Sequence, residues 1–225
     1  MKTITSNTGK TCPPPYIPNS EKLTTGQLQG AYDELASGYE KRVWFDQHIL
    51  GVARQRKQLM SKAQGRILDV ACGTGLNFPY FPATSEITAI DLSEQMLDVA
   101  RQKASNLHLS IQTQVMDAEK LNFADGSFDT VTSSLSTCTF PDAIQALQEM
   151  KRVLRSGGLI LLLEHGHSSL PWLASFQDRN VLPHYQQNAG CRWNQEPLEL
   201  VKAVGLEIVQ NKRFGFGMFH AIVAR

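Results

Sequence analysis

The sequence predicts an α/β fold with a doubly wound, mostly parallel sheet. Short apolar segments alternate along the chain with segments whose apolar residues recur every three to four positions, which is the pattern of βαβ units. The segment LILLLE at 159–164 is continuously apolar, as expected for a central strand that is buried on both faces. The 225 residues suit one domain of this kind.

The individual elements follow from these patterns. Strands are predicted where the chain is apolar throughout or alternates, at 66–70, 86–91, 107–115, 128–134, 159–164, 206–209 and 218–225. Helices are predicted where one face is apolar, at 28–43, 45–59, 94–103, 144–154 and 198–204. Ser93 provides an N-cap for the predicted helix at 94–103. The helical pattern that begins at 45 stops near Gly65.

Two segments differ from this regular alternation. Residues 1–22 are predicted to form a flexible N-terminal tail, because the first twenty are rich in Ser, Thr and Pro and contain no acidic residue. That tail has neither the apolar core of a secretory signal nor the arginines of a transit peptide. Residues 23–225 form the single predicted domain, in which 165–196 is longer than an ordinary connection and is predicted to be a substrate lid.

Composition excludes several classes of protein. The 22 Lys and Arg against 21 Asp and Glu give a net charge of +1, so no nucleic-acid partner is expected. The four cysteines, Cys12, Cys72, Cys138 and Cys191, include no C-x-x-C pair, which argues against a metal site and suits a reducing compartment. No apolar stretch approaches the ~20 residues that span a bilayer. We expect a cytoplasmic monomer or weak dimer, with an organellar location as the alternative.

A glycine pair follows the first predicted strand and indicates a ligand site. Gly73 and Gly75 permit a tight turn and a close approach of the backbone to a ligand. Phe78 stands where a dinucleotide-binding G-x-G-x-x-G motif has its third glycine, which weakens a nicotinamide or flavin interpretation. Asp91 ends the second strand and is well placed to accept from two ribose hydroxyls. The pattern favours a nucleoside ligand without a cradled pyrophosphate.

These segments resemble the motifs of class I S-adenosylmethionine-dependent methyltransferases. ILDVACGTGLN resembles their motif I, AIDLSEQML the second motif, VMDAEKLNFADGSFDTVTSS the third and fourth, and MKRVLRSGGLILLLEHG the approach to the fifth strand. The resemblance runs from about Leu28 to Arg225. It implies a Rossmann-like, seven-stranded sheet with an antiparallel last strand and helices on both faces, with S-adenosylmethionine as the cofactor.

The resemblance also implies a set of cofactor-binding residues. Asp91 would accept from the ribose hydroxyls, Asp117 from the adenine amino group, and Asp69 would orient the glycine loop and the methionine ammonium. The complete set consists of Tyr32, Tyr39, Asp69, Ala71, Gly73, Gly75, Asn77, Asp91, Leu92, Met96, Asp117, Ala118, Glu119, Ser133 and Ser134. For Tyr32 and Tyr39, which lie on an apolar helical stripe, simple packing remains open as an alternative.

Catalysis and acceptor binding are expected at the end of the fifth strand and in the lid. Glu164, His165, His167 and His184 are candidate bases there, and His165 is the predicted catalytic residue because an imidazole titrates near neutral pH. The predicted substrate-binding residues are the lid aromatics Trp172, Phe176, Tyr185 and Trp193. The segment SSLSTCTFP replaces the D-P-P-Y type of motif, which argues against methylation of amides or exocyclic amines.

The expected reaction is in-line transfer of a methyl group to a small, apolar or aromatic acceptor. The lid segment NAGCRW is similar to that of thiol methyltransferases and of a mitochondrial methyltransferase-like protein. Two alternatives remain open: a quinone-pathway C-methyltransferase, and an assembly factor that binds S-adenosylmethionine without turnover. The intact motif set does not separate these functions, because binding and catalysis use the same loops.

Overall fold

A seven-stranded sheet forms the centre of the protein in the computed structural model, which describes residues 17–225. The strands are β1 (Arg66–Val70), β2 (Glu86–Asp91), β3 (Ile111–Val115), β4 (Phe128–Ser134), β5 (Leu154–His165), β6 (Ile208–Phe214) and β7 (Phe219–Ala224), in the order β3-β2-β1-β4-β5-β7-β6. The first five strands are parallel, and β7 is antiparallel to both β5 and β6. The predicted Rossmann-like sheet with an antiparallel last strand is confirmed.

Helices cover both faces of this sheet. The described helices are α1 (Thr25–Leu35), α2 (Tyr39–Arg42), α3 (Trp44–His48), α4 (Val52–Met60), α5 (Glu94–Asn106), α6 (Ala143–Val153), α7 (Pro171–Arg179), α8 (Val181–Gln187) and α9 (Pro197–Ala203). Apolar residues of α6 and α9 bury against one face, and those of α4 and α5 bury against the other. Since β1 and β4 are adjacent and their connections leave toward opposite faces, a crevice opens between their carboxyl ends.

The structure shifts several predicted boundaries. The predicted helix at 28–43 is divided into α1, a 3₁₀ turn at Ala36–Gly38, and α2. The predicted strand at 107–115 begins only at Ile111, because α5 continues to Asn106 and His108 turns the chain with a φ of 55°. Strand β6 continues to Phe214, well beyond the predicted 206–209, with a largely exposed sequence that carries little apolar signal.

The N-terminal region packs on the segment predicted to be a lid. Residues 1–16 of the predicted tail lie outside the described residues, and Ile17 is buried against Val181 and Tyr185. The Tyr185 hydroxyl accepts from the Leu23 amide at 3.0 Å, and Arg42 donates to Asn188 at 2.6 Å. The lid segment 165–196 contains α7 and α8, and together with residues of α1 and α2 it lines a cavity at the carboxyl end of β5. Within 17–225, no helix combines the length and the hydrophobicity needed to cross a bilayer.

Candidate active site

The glycine loop after β1 is fixed to the end of β2 by backbone hydrogen bonds. The Gly73 amide donates to Asp91 Oδ2 at 2.8 Å, and the Ser93 amide donates to Asp91 Oδ1 at 2.9 Å. The Cys72 amide donates to the Ile90 carbonyl at 2.9 Å. Each carboxylate oxygen of Asp91 retains a further lone pair that can accept from a ligand. Asp91 therefore both shapes the loop and presents negative charge beside it.

A pocket lies between this loop, the end of β4 and helix α1; we call it the loop pocket. It encloses about 720 Å³ including its open mouth, which is within the usual range for small-molecule sites. Ten of the predicted cofactor-binding residues line it: Tyr32, Tyr39, Ala71, Gly73, Asp91, Leu92, Met96, Asp117, Ala118 and Ser134. The fold thus brings together, on one concave surface, predicted residues that are spread along the chain from Tyr32 to Ser134.

The two glycines of the loop have different surroundings. A Cβ added at Gly73 would meet no protein atom within 4 Å, whereas one added at Gly75 would lie 2.5 Å from the buried Phe78 ring. Gly73 lines the loop pocket, so the space above it is open to a ligand. The Phe78 ring instead occupies the space beside Gly75, so the absence of a side chain at Gly75 makes room for this large residue.

The other five predicted cofactor-binding residues support the loop pocket from outside its lining. Asp69 and Asn77 are buried beneath the loop, where Asp69 Oδ1 accepts from Asn77 at 2.8 Å and from Thr132 at 2.6 Å. Ser133 donates to the Val70 carbonyl at 3.0 Å, and Glu119 accepts from the Asp142 amide at 2.6 Å. Gly75 packs on Phe78 as described. Their predicted contacts with a cofactor remain predictions.

A buried polar network below the loop contains one unpartnered carboxylate oxygen. Asp69 Oδ2 has no hydrogen-bond partner, although Arg56 lies in the same network and donates to Asn77. Burial raises the pKa of Asp69 to about 6, against the hydrogen bonds from Thr132 and Asn77 and the charge of Arg56, which lower it. An unpartnered acceptor in this position favours a ligand that brings a donor or a positive charge.

The loop pocket has the charge and shape that S-adenosylmethionine requires. Its carboxylates are those of Asp91 and Asp117, and none of its described lining residues is Lys or Arg. Leu92, Met96 and Phe140 supply apolar surface for a flat ring. A sulfonium, an ammonium and a ribose diol are all favoured by acceptors and negative charge, so these residues fit the cofactor.

Helix α1 is held over the loop pocket by a side chain that the sequence did not single out. Asp33 accepts from the Ser93 hydroxyl and, at 3.4 Å, from the Gln95 amide at the start of α5. A carboxylate is favoured at this helix N-terminus. This contact fixes the side of α1 that carries Thr25, Leu28 and Tyr32 toward the pocket. The sequence signal that could have identified this residue is an acidic side chain directly after Tyr32.

A larger cavity adjoins the loop pocket beneath the lid segment; we call it the lid cavity. It measures about 1300 Å³ including the part open to solvent. Tyr32, Tyr39, Leu135 and Thr139 line both spaces and form a common wall. The remainder of its lining is mixed, with apolar side chains such as Val43 and Phe219 beside polar or charged groups that include Arg42, Asp46 and His165.

Two of the four candidate bases line the lid cavity, and none of the four lines the loop pocket. His165 and His184 line the lid cavity, whereas Glu164 is buried and accepts from the amides of Ser136 and Thr137 at 3.2 and 3.3 Å. Burial raises the pKa of Glu164 to about 7 and lowers that of His184 to about 4. Burial lowers the pKa of His165, but its neighbours, Cys138 first, raise it to a net value of about 9.

These values bear on which group accepts a proton. A histidine with a raised pKa is protonated at neutral pH, so this environment does not favour His165 as a general base. Its role as the catalytic residue stays a prediction. His167, the fourth candidate, lies between Asp178 and Glu196 at 3.2 and 3.4 Å and holds the lid segment together.

The predicted substrate-binding aromatics occupy three different environments. Trp193 lines the lid cavity and stacks on His184 with ring centroids 4.0 Å apart. Phe176 contacts Trp193 edge-to-face at 5.8 Å but is 46% exposed, and Trp172 is 68% exposed. Tyr185 is buried and binds the N-terminal segment. Trp193 is therefore the predicted aromatic that lines the lid cavity, and substrate binding by all four remains a prediction.

Two of the cysteines, Cys138 and Cys191, lie closer together in the fold than their separation in the sequence suggested. Cys138, from the turn after β4, and Cys191, from the segment between α8 and α9, both approach His165 at the end of β5. The absence of a C-x-x-C pair argued against a metal site, yet this fold places three possible ligand atoms within 4.8 Å of one another. Residues this far apart in the chain carry no spacing signal that sequence rules detect.

Comparison with known proteins gives consistent similarities. A family model described as a methyltransferase domain matches residues 68–162. The mitochondrial methyltransferase OMS1 of Saccharomyces cerevisiae is 28% identical over 92% of this chain and 48% of its own length. Demethylmenaquinone methyltransferase of Staphylococcus aureus is 34% identical over 67% of this chain and 65% of its own length. The chain thus spans about half of the yeast relative and less than two thirds of the staphylococcal one.

The fold is also found among solved structures. Geranyl diphosphate C-methyltransferase from Streptomyces coelicolor, solved with S-adenosylhomocysteine and geranyl diphosphate, superposes with a TM-score of 0.69 over 90% of this chain and 98% of that one. The sequence identity is 16%, so this likeness concerns the fold. The motifs, the sheet order and the matching relatives together show that the chain belongs to the family of class I S-adenosylmethionine-dependent methyltransferases.

Proposed function

We propose that this protein transfers the methyl group of S-adenosylmethionine to a small acceptor that binds in the lid cavity. The observation that carries the proposal is the common wall of the two spaces: Tyr32, Tyr39, Leu135 and Thr139 border both. A cofactor in the loop pocket would have its methionine end beside Ser134 and Leu135, at the junction with the lid cavity. An acceptor could then approach the methyl group from the side opposite the leaving sulfur.

The residues of this chain would act chiefly by orientation. Asp91 and Asp117 would fix the nucleoside portion, Gly73 would let the backbone pass close to it, and Asp69 would favour the positively charged end. The cofactor supplies an electrophilic methyl group. Holding two reactants in line can contribute ~7–11 kcal/mol to lowering the barrier. The cover formed by α1, α2 and the lid segment would exclude water from the junction.

The lining of the lid cavity favours an apolar or aromatic acceptor with a polar substituent. Val43, Leu50, Met218 and Phe219 supply apolar surface, and Tyr39 keeps a neutral hydroxyl because burial raises its pKa to about 12. A quinone-pathway acceptor is the second candidate, and the 34% identity to demethylmenaquinone methyltransferase supports it. Methylation of such a ring would form a carbon–carbon bond, whereas a thiol or phenol would be methylated on the heteroatom.

A methyl-transfer screen tests this proposal. The purified chain is incubated with methyl-labelled S-adenosylmethionine and separate panels of quinols, phenols, thiols and amines, and both S-adenosylhomocysteine and labelled product are measured. We expect one panel to yield both products in equal amounts. The matched control is Gly73→Val, whose side chain would fill open space in the loop pocket and should abolish both signals.

Two other outcomes would overturn the proposal in different ways. Tight cofactor binding by calorimetry without turnover on any panel would support an assembly factor that binds S-adenosylmethionine. Absence of cofactor binding in a correctly folded protein would remove the loop pocket as the cofactor site. The cytoplasmic location, the organellar alternative and the monomeric or weakly dimeric state remain predictions.

A further inference from the structure

Three side chains with metal-binding chemistry meet in the wall of the lid cavity. Cys191 Sγ lies 3.3 Å from His165 Nε2, and these two atoms and Cys138 Sγ all lie within 4.8 Å of one another. All three residues line the cavity, with Cys138 buried and the other two partly exposed to it. A cluster of two thiols and an imidazole is not needed to bind S-adenosylmethionine, and the cofactor-binding motifs do not account for it.

The separations are close to those around a tetrahedral zinc ion. Zn–S bonds of about 2.3 Å and Zn–N bonds of about 2.0–2.1 Å imply sulfur–sulfur and sulfur–nitrogen separations of about 3.8 and 3.6 Å. The Cys191–His165 distance of 3.3 Å and the upper limit of 4.8 Å for all three pairs bracket both values, so side-chain adjustments of about 1.2 Å or less would complete the geometry. We propose that Cys138, His165 and Cys191 form a mononuclear site for Zn²⁺.

The backbone around the cluster is held in place by other residues. The Cys138 carbonyl accepts from the Arg192 amide at 3.0 Å and from its Nε at 3.1 Å. Gln195 Nε2 donates to Thr137 Oγ1 at 2.8 Å and to the His165 carbonyl at 3.4 Å. These contacts join the turn after β4, the end of β5 and the lid segment independently of the thiols. The ligand atoms are therefore brought together by the fold before any ion binds.

Binding of zinc at this site would be accompanied by the release of protons. Zinc binds thiolates and neutral imidazole, so uptake of the ion releases the protons of the two thiols to water, along with that of His165 where the ring is protonated. No oxidant or reductant is involved. Three protein ligands leave the fourth tetrahedral position free, which is the arrangement of catalytic rather than structural zinc. The cavity that all three residues line is the side from which a fourth ligand would enter.

The fourth position gives the ion a role toward the acceptor, a step that rests on the proposed function. A thiol or hydroxyl of an acceptor coordinated there would lose its proton to water and be held in the lid cavity, which adjoins the loop pocket. This assigns the activation of the acceptor to a metal ion rather than to a side-chain base. A heteroatom acceptor would then be preferred to a ring carbon.

Metal binding can be measured without cofactor or acceptor. The reduced protein is stripped with a chelator and titrated with Co²⁺, whose thiolate complexes absorb in the near ultraviolet, and zinc is then added to displace the cobalt. We expect one equivalent of cobalt per chain, a sulfur-to-cobalt charge-transfer band, and loss of that band on addition of one equivalent of zinc. All samples carry Cys12→Ser, since Cys12 lies outside the described residues and its thiol could add a ligand.

Variants identify the ligands. Cys138→Ser, Cys191→Ser and His165→Ala are each expected to weaken zinc binding by at least about 100-fold, because outer-sphere changes alone cost 10–100-fold. The matched control is Cys72→Ser, which removes a buried thiol that lies apart from the cluster and should leave the band unchanged. His165→Ala leaves both thiols of the cluster in place, so it keeps the test valid where a cysteine variant folds poorly.

The proposal would be overturned by cobalt binding that is unchanged in Cys191→Ser and His165→Ala, or by no binding in the reduced protein that carries Cys12→Ser alone. A Cys138–Cys191 disulfide that persists under the reducing conditions would also overturn it. Zinc binding without methyl transfer on any acceptor panel would leave the metal site intact and reject only the proposed function. Methyl transfer unaffected by metal removal would reject the role of the ion toward the acceptor.

Discussion

Replacing Gly73 with alanine tests the loop pocket with the smallest possible change. The added Cβ would meet no protein atom within 4 Å, but it would enter the space that the loop pocket leaves open. The Gly73 amide would still donate to Asp91, so the loop keeps its attachment to β2. The substitution should therefore affect a bound cofactor more than it affects the fold.

The magnitude follows from the backbone angle and the crowding. Gly73 has a φ of 55°, which costs an alanine about 1–2 kcal/mol, and Ala71 already adopts a φ of 52° in the same loop. A methyl group forced into a well-packed contact costs about 1–3 kcal/mol. We expect the free energy of unfolding to fall by about 1–2 kcal/mol. The affinity for S-adenosylhomocysteine should fall by about 5- to 150-fold.

Gly75→Ala is the matched comparison, because the added Cβ would clash with the Phe78 ring rather than with a ligand. The 2.5 Å approach to a buried ring adds crowding within the core to the cost of a φ of 75°, so unfolding should become easier by about 2–5 kcal/mol. Urea denaturation and calorimetric titration are performed on both variants. If folded Gly73→Ala binds S-adenosylhomocysteine as tightly as the wild type, the loop does not contact the cofactor and the site assignment is wrong.

Three further predictions address the carboxylates and the lid. The pKa of Asp69, about 6 in the folded protein against 3.8 when unperturbed, means that the folded state holds a proton between these values that the unfolded state has lost. Urea denaturation should therefore show a decline in stability of up to about 3 kcal/mol from this group as pH rises from 4 to 6, which Asp69→Asn removes while the decline from Glu164, whose pKa is also raised, remains. Asp91→Asn loses charge-assisted hydrogen bonds worth ~1.5–3 kcal/mol, so calorimetry should show binding of S-adenosylhomocysteine weakened about tenfold or more. Trp193→Ala should lower acceptor turnover more than cofactor affinity, and more than Trp172→Ala does, because Trp193 lines the lid cavity while Trp172 is 68% exposed; equal effects of the two substitutions on turnover would contradict this placement.

The central strands could be predicted from the sequence because burial dictates their composition. The predicted segments at 66–70, 86–91 and 128–134 coincide with β1, β2 and β4. Edge strands are less constrained: most residues of β6 are exposed, so the sequence from Gln210 to Arg213 is polar and carries no apolar pattern. The start of β3 was misplaced because Leu109 packs against the core from a turn and only imitates strand alternation.

The loop pocket could be predicted from the sequence more completely than the lid cavity could. Its residues follow the carboxyl ends of successive strands, where the topology of a parallel sheet requires a ligand site. The lid cavity depends on how the segments around Cys138, His165 and Cys191 pack, and Arg192 and Gln195 fix that packing through backbone carbonyls. Such contacts join distant parts of the chain, and no local pattern reports them.

Backbone strain at the junction of the two spaces indicates that the site is formed in advance. Ala71 and Leu135 have φ values of 52° and 56°, and both line the loop pocket at the ends of β1 and β4. Each non-glycine residue in this region costs about 1–3 kcal/mol and persists only where its surroundings hold it. The Leu135 amide donates to the Leu163 carbonyl at 2.7 Å, so β5 supplies that restraint. A rigid Leu135 at the common wall would set the direction in which an acceptor meets the methyl group, and the free energy that maintains it comes from folding rather than from binding.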